Sequence, residues 1–175
     1  MRFGLLSFVQ APLNESLLTQ LDNVLEQVHV AKESGFDSIF VGQHYLSTPY
    51  QMLQSIPLLA RIAAEAHNMR IGTSILLIPL LHPVDVAEQI ATLDVIAGGK
   101  FVFGVGLGYR DIEYEAFGVS KKHSVSRFTE ALVVIKSLWT EDSVTFHGRH
   151  FTLNNVTMTV KPLQKPHPPI WIAAN

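Results

Sequence analysis

The chain has 175 residues, 47% of them hydrophobic, with 13 basic and 15 acidic side chains, a formal net charge of −2 and no cysteine. That length and apolar content suffice for one core-forming domain over residues 1–175, and scattered Lys and Arg without basic excess argue against nucleic acid as a partner. Without cysteine there is no disulfide framework, thiolate nucleophile or cysteine-ligated metal, which fits a reducing cytoplasm.

The opening MRFGLLSFVQ holds an apolar run too short for a secretory leader, and residues 3–8 read as a first strand. Leu17, Leu18, Leu21, Val24, Leu25, Val28 and Ala31 recur at helical spacing, with Gly35 as the expected stop of a first helix. Residues 38–41 read as a second strand. Leu58, Leu59, Ile62 and Ala63 mark a second helix that starts near Ser55, with Pro57 in its first turn where no backbone N–H is needed. Residues 71–78 are apolar throughout and read as a third, doubly covered strand. Pro83 opens a third helix through Val84, Ala87, Ile90, Ala91 and Val95, closed by Gly98 and Gly99, and residues 101–105 read as a fourth strand. A polar loop follows, then a fourth helix through Phe128, Ala131, Leu132, Ile135, Leu138 and Trp139. SVTFHGRHFTLNNVTMTVKP alternates around His147-Gly148 and Asn154-Asn155, as an inserted β-hairpin would. QKPHPP resists regular structure and leads to a fifth strand at 170–174.

Strands alternating with helices at this spacing predict a parallel sheet with right-handed crossovers. A closed (β/α)8 barrel takes eight strands and about 250 residues. The reading is therefore an α/β fold of the TIM-type (β/α)8 barrel family, here a partial barrel of about five parallel strands with an inserted β-hairpin. The longest apolar stretch, 75–81, is interrupted by Pro79 and falls well short of the roughly 20 residues of a membrane span, so a cytosolic protein is expected.

In such barrels the ligand site lies at the carboxyl ends of the strands. His44, after the second strand, is the acid–base group there that titrates near neutrality, unless it is a half-buried histidine bonded to a carbonyl. GVGLG places Gly106 and Gly108 where the backbone could pass close to a flat ligand or simply turn. It fails the dinucleotide fingerprint, because the third glycine would fall on Tyr109 or Asp111 and no helix is expected to open there. Arg110, Asp111, Glu113 and Glu115 read as a wet rim, with Arg110 kept as a phosphate or substrate contact. His147 and His150 lack a third ligand nearby and read as a solvated pair, and SFVQ carries no His-x-His, so no metal site is expected. Leu80, Leu81 and Tyr45 suggest apolar pocket walls.

FGLLSF, GFDSIFVGQHY, the stretch RIGTSILLIPLLHPVDVAEQIATLDVIAGGKFVFGVGLGYRDIEYEAFG, RFTEALVVIKSLWTEDSVTFHGRHF and KPLQKPHPPIWIAAN together resemble the bacterial luciferase-like, flavin-dependent monooxygenase family. The likeness runs the whole chain and covers the N-terminal half of the family's domain. It implies an enzyme using reduced FMN and dioxygen on a small organic substrate, with a separate flavin reductase as its source of reduced flavin. The alternatives are a deazaflavin (coenzyme F420) oxidoreductase performing hydride transfer, or a catalytically inactive half-barrel. By resemblance, His44 would assist the reaction of reduced flavin with dioxygen. The family's non-proline cis peptide would fall between Ser74 and Ile75 against the isoalloxazine ring, and Asn175 would lie where the fifth strand reaches the flavin. Leu107 stands where luciferase has an arginine on the flavin phosphate, and Tyr109 where F420-dependent sugar dehydrogenases have an acid. The open edges of a five-stranded sheet would need cover, which predicts a homodimer.

Overall fold

The computed structural model describes residues 1–173. In chain order these form β1 (Gly4–Ser7), β2 (Gln10–Pro12), α1 (Leu17–Glu33), β3 (Ser38–Val41), β4 (Tyr50–Met52), α2 (Ser55–Ala66), β5 (Arg70–Thr73), α3 (Pro83–Ile96), β6 (Phe101–Val105), α4 (Asp111–Ala116), α5 (Ser124–Thr140), β7 (Val144–His147), β8 (Thr152–Val156) and β9 (Ile170–Ile172), with 3-10 turns at Ile78–Leu80 and Lys121–His123.

Five strands make one parallel sheet in the order β1-β3-β5-β6-β9, with Leu6 beside Phe40, Val41 beside Thr73, Ile71 beside Phe101 and Gly104 beside Trp171. The crossovers are helices because their apolar positions recur at helical spacing and their ends are capped. Ser16 Oγ accepts the Thr19 N–H at the start of α1, His82 accepts the Val84 N–H ahead of Pro83 in α3, and Gly35 leaves α1 at a φ of +76°. Ile39, Val41, Ile71, Phe101, Phe103 and Val105 point from the sheet into the layer of helices and are fully buried. There Trp139 of α5 packs edge-on to Phe103 and donates its indole N–H to the Ala87 carbonyl at 3.0 Å.

The opposite face is open. Leu6 is 47% exposed and Trp171 57%, and Phe40 stacks on Trp171 with ring centroids 5.1 Å apart. A cavity of about 390 Å³ lies along this face. A β-carbon on Gly72 would meet the Phe40 ring at 2.7 Å, so glycine gives that ring its place.

Five parallel strands and a β7–β8 hairpin match the partial-barrel expectation. Four details depart from it. The third strand stops at Thr73 instead of Ile78, because the chain turns at a cis Ser74–Ile75 peptide and rejoins β6 through a single Leu76–Val105 bridge. A helix, α4, does open at Asp111, so the dinucleotide fingerprint fails only on the absent third glycine. The hairpin turns after His147, while Asn154 and Asn155 lie within β8, where Asn155 takes a φ of +48° beside a register shift. The short antiparallel pair β2–β4 had no sequence signal strong enough to predict it.

Candidate functional site

The segment after β3 is pinned by two glutamines. Gln43, buried, accepts the Leu77 N–H at 3.0 Å and donates to the Tyr45 hydroxyl at 3.0 Å, while Gln54 donates to the His44 carbonyl at 3.0 Å. Burial pushes the Tyr45 phenol above its ordinary value despite the Gln43 bond, so it remains a hydroxyl at neutral pH.

The end of β5 is locked to its neighbours on both sides. Ser74 N–H donates to Val41 O at 2.8 Å, Leu76 N–H to Gly104 O at 2.8 Å, and Gly106 N–H to Leu76 O at 3.1 Å. These bonds press β5 and β6 together. A β-carbon on Gly104 would sit 1.9 Å from the Thr73 carbonyl oxygen, and one on Gly106 1.9 Å from Ile75 Cδ1. Gly108 then turns the loop at a φ of +78°.

These ends converge. His44, Ser74, Ile75, Gly108 and Tyr109 line one cleft of about 530 Å³, with Phe8, Leu77 and Leu107 as apolar walls. The volume falls in the range of roughly 300–1,000 Å³ typical of small-molecule sites. The Tyr109 ring stands edge-on to the His44 imidazole, centroids 5.6 Å apart. Gly106 lies behind Ile75, outside the lining. Asn175 lies outside the described residues.

Arg110 is placed otherwise than nominated. Its Nη1 donates to Tyr45 O at 2.7 Å and its Nη2 to Leu46 O at 3.0 Å, so the guanidinium ties the segment after His44 to α4 and does not line the cleft. Leu80, Leu81 and Tyr45 are likewise not cleft walls; they pack in a small cluster with Leu77 and Tyr114.

Glu113 is the residue sequence reasoning missed. It is fully buried, and its Oε1 lies 3.1 Å from His44 Nδ1, 2.9 Å from the Tyr45 backbone nitrogen and 3.5 Å from Arg110 Nη1. Asp111 and Glu115 do form a wet rim. A helical reading of 111–117 would have put Glu113 on the face of Phe117, whose ring packs on Tyr45 at 4.6 Å. Elsewhere, His147 is exposed and His150 Nε2 lies 2.8 Å from Ser126 Oγ; among the described residues no group of three or more His, Asp or Glu is arranged to hold a metal. No helix among them is long and apolar enough to cross a membrane.

The chain is similar to proteins of known activity. The oxygenase component of the flavin-dependent trigonelline monooxygenase of Acinetobacter baylyi is 29% identical over 99% of this chain and 49% of its own length. The F420-dependent glucose-6-phosphate dehydrogenase of Kineococcus radiotolerans is 32% identical over 82% of this chain and 44% of its own. The crystal structure of the monooxygenase RslO1 from Streptomyces bottropensis superposes with a TM-score of 0.90 at 29% identity, covering 98% of this chain and 53% of that one. The chain thus spans about half the length of the curated relatives it matches. The luciferase-like monooxygenase family model matches residues 1–175, and the chain belongs to that family.

Proposed function

We propose that this chain forms the ring-binding side of a reduced-flavin site in an FMN- and dioxygen-dependent monooxygenase acting on a small organic substrate. The observation that carries the reading is the meeting of His44, the Ser74–Ile75 cis peptide and the Gly108–Tyr109 loop on one cleft. The cleft fits a flat aromatic group: Phe8, Leu77 and Leu107 give it apolar walls, and Gly108 adds no side chain to the loop. Among the described residues no Lys or Arg lines it, so the fit is to the ring and not to the phosphate.

Reduced flavin, when bound there, would supply the electrons that activate dioxygen. The protein's own contributions follow from its residues. The apolar walls exclude water from one side of the ring. Ile75, which lines the cleft after β5, would support the ring. His44 holds or moves a proton at its unpaired ring nitrogen. By the family resemblance, Asn175 would add a polar contact to the flavin. Reduced flavin would come from a separate reductase, in keeping with a relative named as an oxygenase component.

A deazaflavin reading is favoured by the F420-dependent relative at 32% identity, and hydride transfer would use the same cleft. The reading extends to a cytoplasmic protein and to a homodimer that covers the open sheet face and the unpaired edges of β1 and β9; a dilute monomer in sedimentation would exclude that dimer. Anaerobic titration with FMNH2 and with reduced F420, followed by oxygen uptake, tests the function. Saturable FMNH2 binding and oxygen consumption that falls about 100-fold in His44→Ala, the scale of a lost general acid or base, are expected. Binding of F420 alone would select the second reading. Binding of neither would leave a catalytically inactive half-barrel.

A further inference from the structure

We propose that Glu113 is a positioning residue: it holds His44 with the proton on Nδ1 and so leaves Nε2 as the acceptor nitrogen available to the cleft. The catalytic consequence rests on the flavin reading above; the tautomer does not.

The geometry is specific to one oxygen. Glu113 Oε1 receives the Tyr45 backbone N–H at 2.9 Å and faces the Arg110 guanidinium at 3.5 Å. An oxygen that accepts a backbone N–H beside a fixed cation is an acceptor, so the proton in the third contact, 3.1 Å from His44 Nδ1, belongs to the imidazole. Among the described residues Glu113 Oε2 is buried without a partner, so no competing bond from them turns the carboxylate away. The pair is shielded as well, with Glu113 fully buried and the His44 side chain 17% exposed. With Nδ1 committed and the Tyr109 ring at the imidazole's flank, Nε2 is the nitrogen left for a ligand. Structural ion pairs occur throughout proteins, but this one loads one nitrogen of the one histidine that lines the cleft among the described residues, which is how an orienting carboxylate sets a histidine's tautomer.

The test is a long-range 1H–15N correlation of the imidazole nitrogens in the 15N-labelled 175-residue chain without flavin, with His44 assigned through His44→Gln. Wild type should show a protonated Nδ1 and an unprotonated Nε2 for neutral His44. Glu113→Gln keeps an acceptor oxygen and should keep that pattern. Glu113→Leu should move the majority to the Nε2–H form and lower kcat for oxygen uptake, measured at saturating flavin, about 10- to 100-fold, the scale of losing a histidine's orienting partner. A wild-type Nε2–H majority, or an unmoved tautomer in Glu113→Leu, would overturn the proposal. Should the Leu variant not fold, the wild-type and Glu113→Gln spectra still decide. A chain that binds no flavin yet shows Nδ1–H would refute the flavin reading alone.

Discussion

Replacing Arg110 by Ala distinguishes a clamp from a phosphate contact. The side chain is 23% exposed, and its two short bonds go to the Tyr45 and Leu46 carbonyls at 2.7 and 3.0 Å. Hydrogen bonds involving a charged group contribute about 1.5–3 kcal/mol each, whereas ordinary ones contribute about 0.5–1.5. Leu46 is exposed and its carbonyl can be rehydrated, so that bond belongs near 0.5 kcal/mol and the Tyr45 bond near 1.5 kcal/mol, about 2 kcal/mol together. For a chain of this size that lowers Tm by about 4–8 °C. Urea unfolding followed by tryptophan fluorescence measures the stability, and parallel titrations with FMN and riboflavin measure the site. A clamp weakens both ligands by the same factor, because it acts on the segment bearing His44. Arg110→Lys should recover only part of the loss, since an ammonium cannot span both carbonyls as the guanidinium fork does. A variant within about 0.5 kcal/mol of wild type, with FMN weakened and riboflavin unaffected, would refute this and return Arg110 to the phosphate.

Other perturbations follow from the same contacts. Gly104→Ala drives a β-carbon into the Thr73 carbonyl, which cannot move without parting β5 from β6, and should cost about 3 kcal/mol or more in chemical unfolding. Gly106→Ala clashes with the rotatable side chain of Ile75, with Ala173 in ordinary contact, and should cost about 1–2 kcal/mol while weakening flavin binding more than it weakens the fold. At the hairpin, desolvation pushes the Glu130 carboxyl up, but the backbone N–H groups of His150 and Arg149 outweigh it and the net pKa lies below the usual 4.5. Its stabilisation is therefore complete above that unfolded value and is lost as pH falls through the depressed folded one, so Glu130→Gln should melt lower than wild type at pH 7 and converge with it in acid; a gap that persists in acid would contradict the sign. Finally, Phe8 lines the cleft and is 55% exposed, so oxygen uptake by this chain should release hydrogen peroxide rather than oxidised substrate, measurable as oxygen returned by catalase.

The helices α1, α2, α3 and α5 were legible because each buries a stripe at 3.6-residue spacing over three turns or more. The ends of the second and fourth predicted strands, at Val41 and Val105, were legible too, and with the first of them the place of His44; the Ser74–Ile75 turn was expected from the family resemblance alone. What failed has two physical origins. An all-apolar run such as 71–78 carries no period, so a strand of four residues followed by a buried turn looks the same as one strand of eight. A helix of six residues with three acidic side chains gives too few positions for a period to show, so α4 read as a wet rim. The miss at α4 hid Glu113, whose His44 partner lies 69 residues earlier. Arg110 went astray for a related reason: a cation after a glycine-rich loop suggests a phosphate, but backbone carbonyls left free by the segment after β3 are equally good acceptors, and they are nearer.

That half a barrel can hold so much of a site follows from parallel pairing. In the register of this sheet Ser7 lies beside Val41 and Val41 beside Thr73, so the residues just beyond three successive strands emerge side by side, and β6 adds its loop through the Leu76–Val105 bridge. Every lining residue of the cleft sits within a few positions of such an end, which makes the floor of the cleft a property of neighbouring strands and independent of barrel closure. Closure governs the remaining walls. The half-exposed rings of Phe8 and Trp171 mark where apolar surface still faces solvent among the described residues, one at the cleft and the other on the open sheet face. On the proposed reading, binding of a flat ring and the orientation of His44 would depend on contacts made among these five strands, whereas shielding the ring from water would depend on surface packed against them. The two should separate experimentally, with ring affinity and imidazole tautomer intact in conditions where peroxide leakage is high.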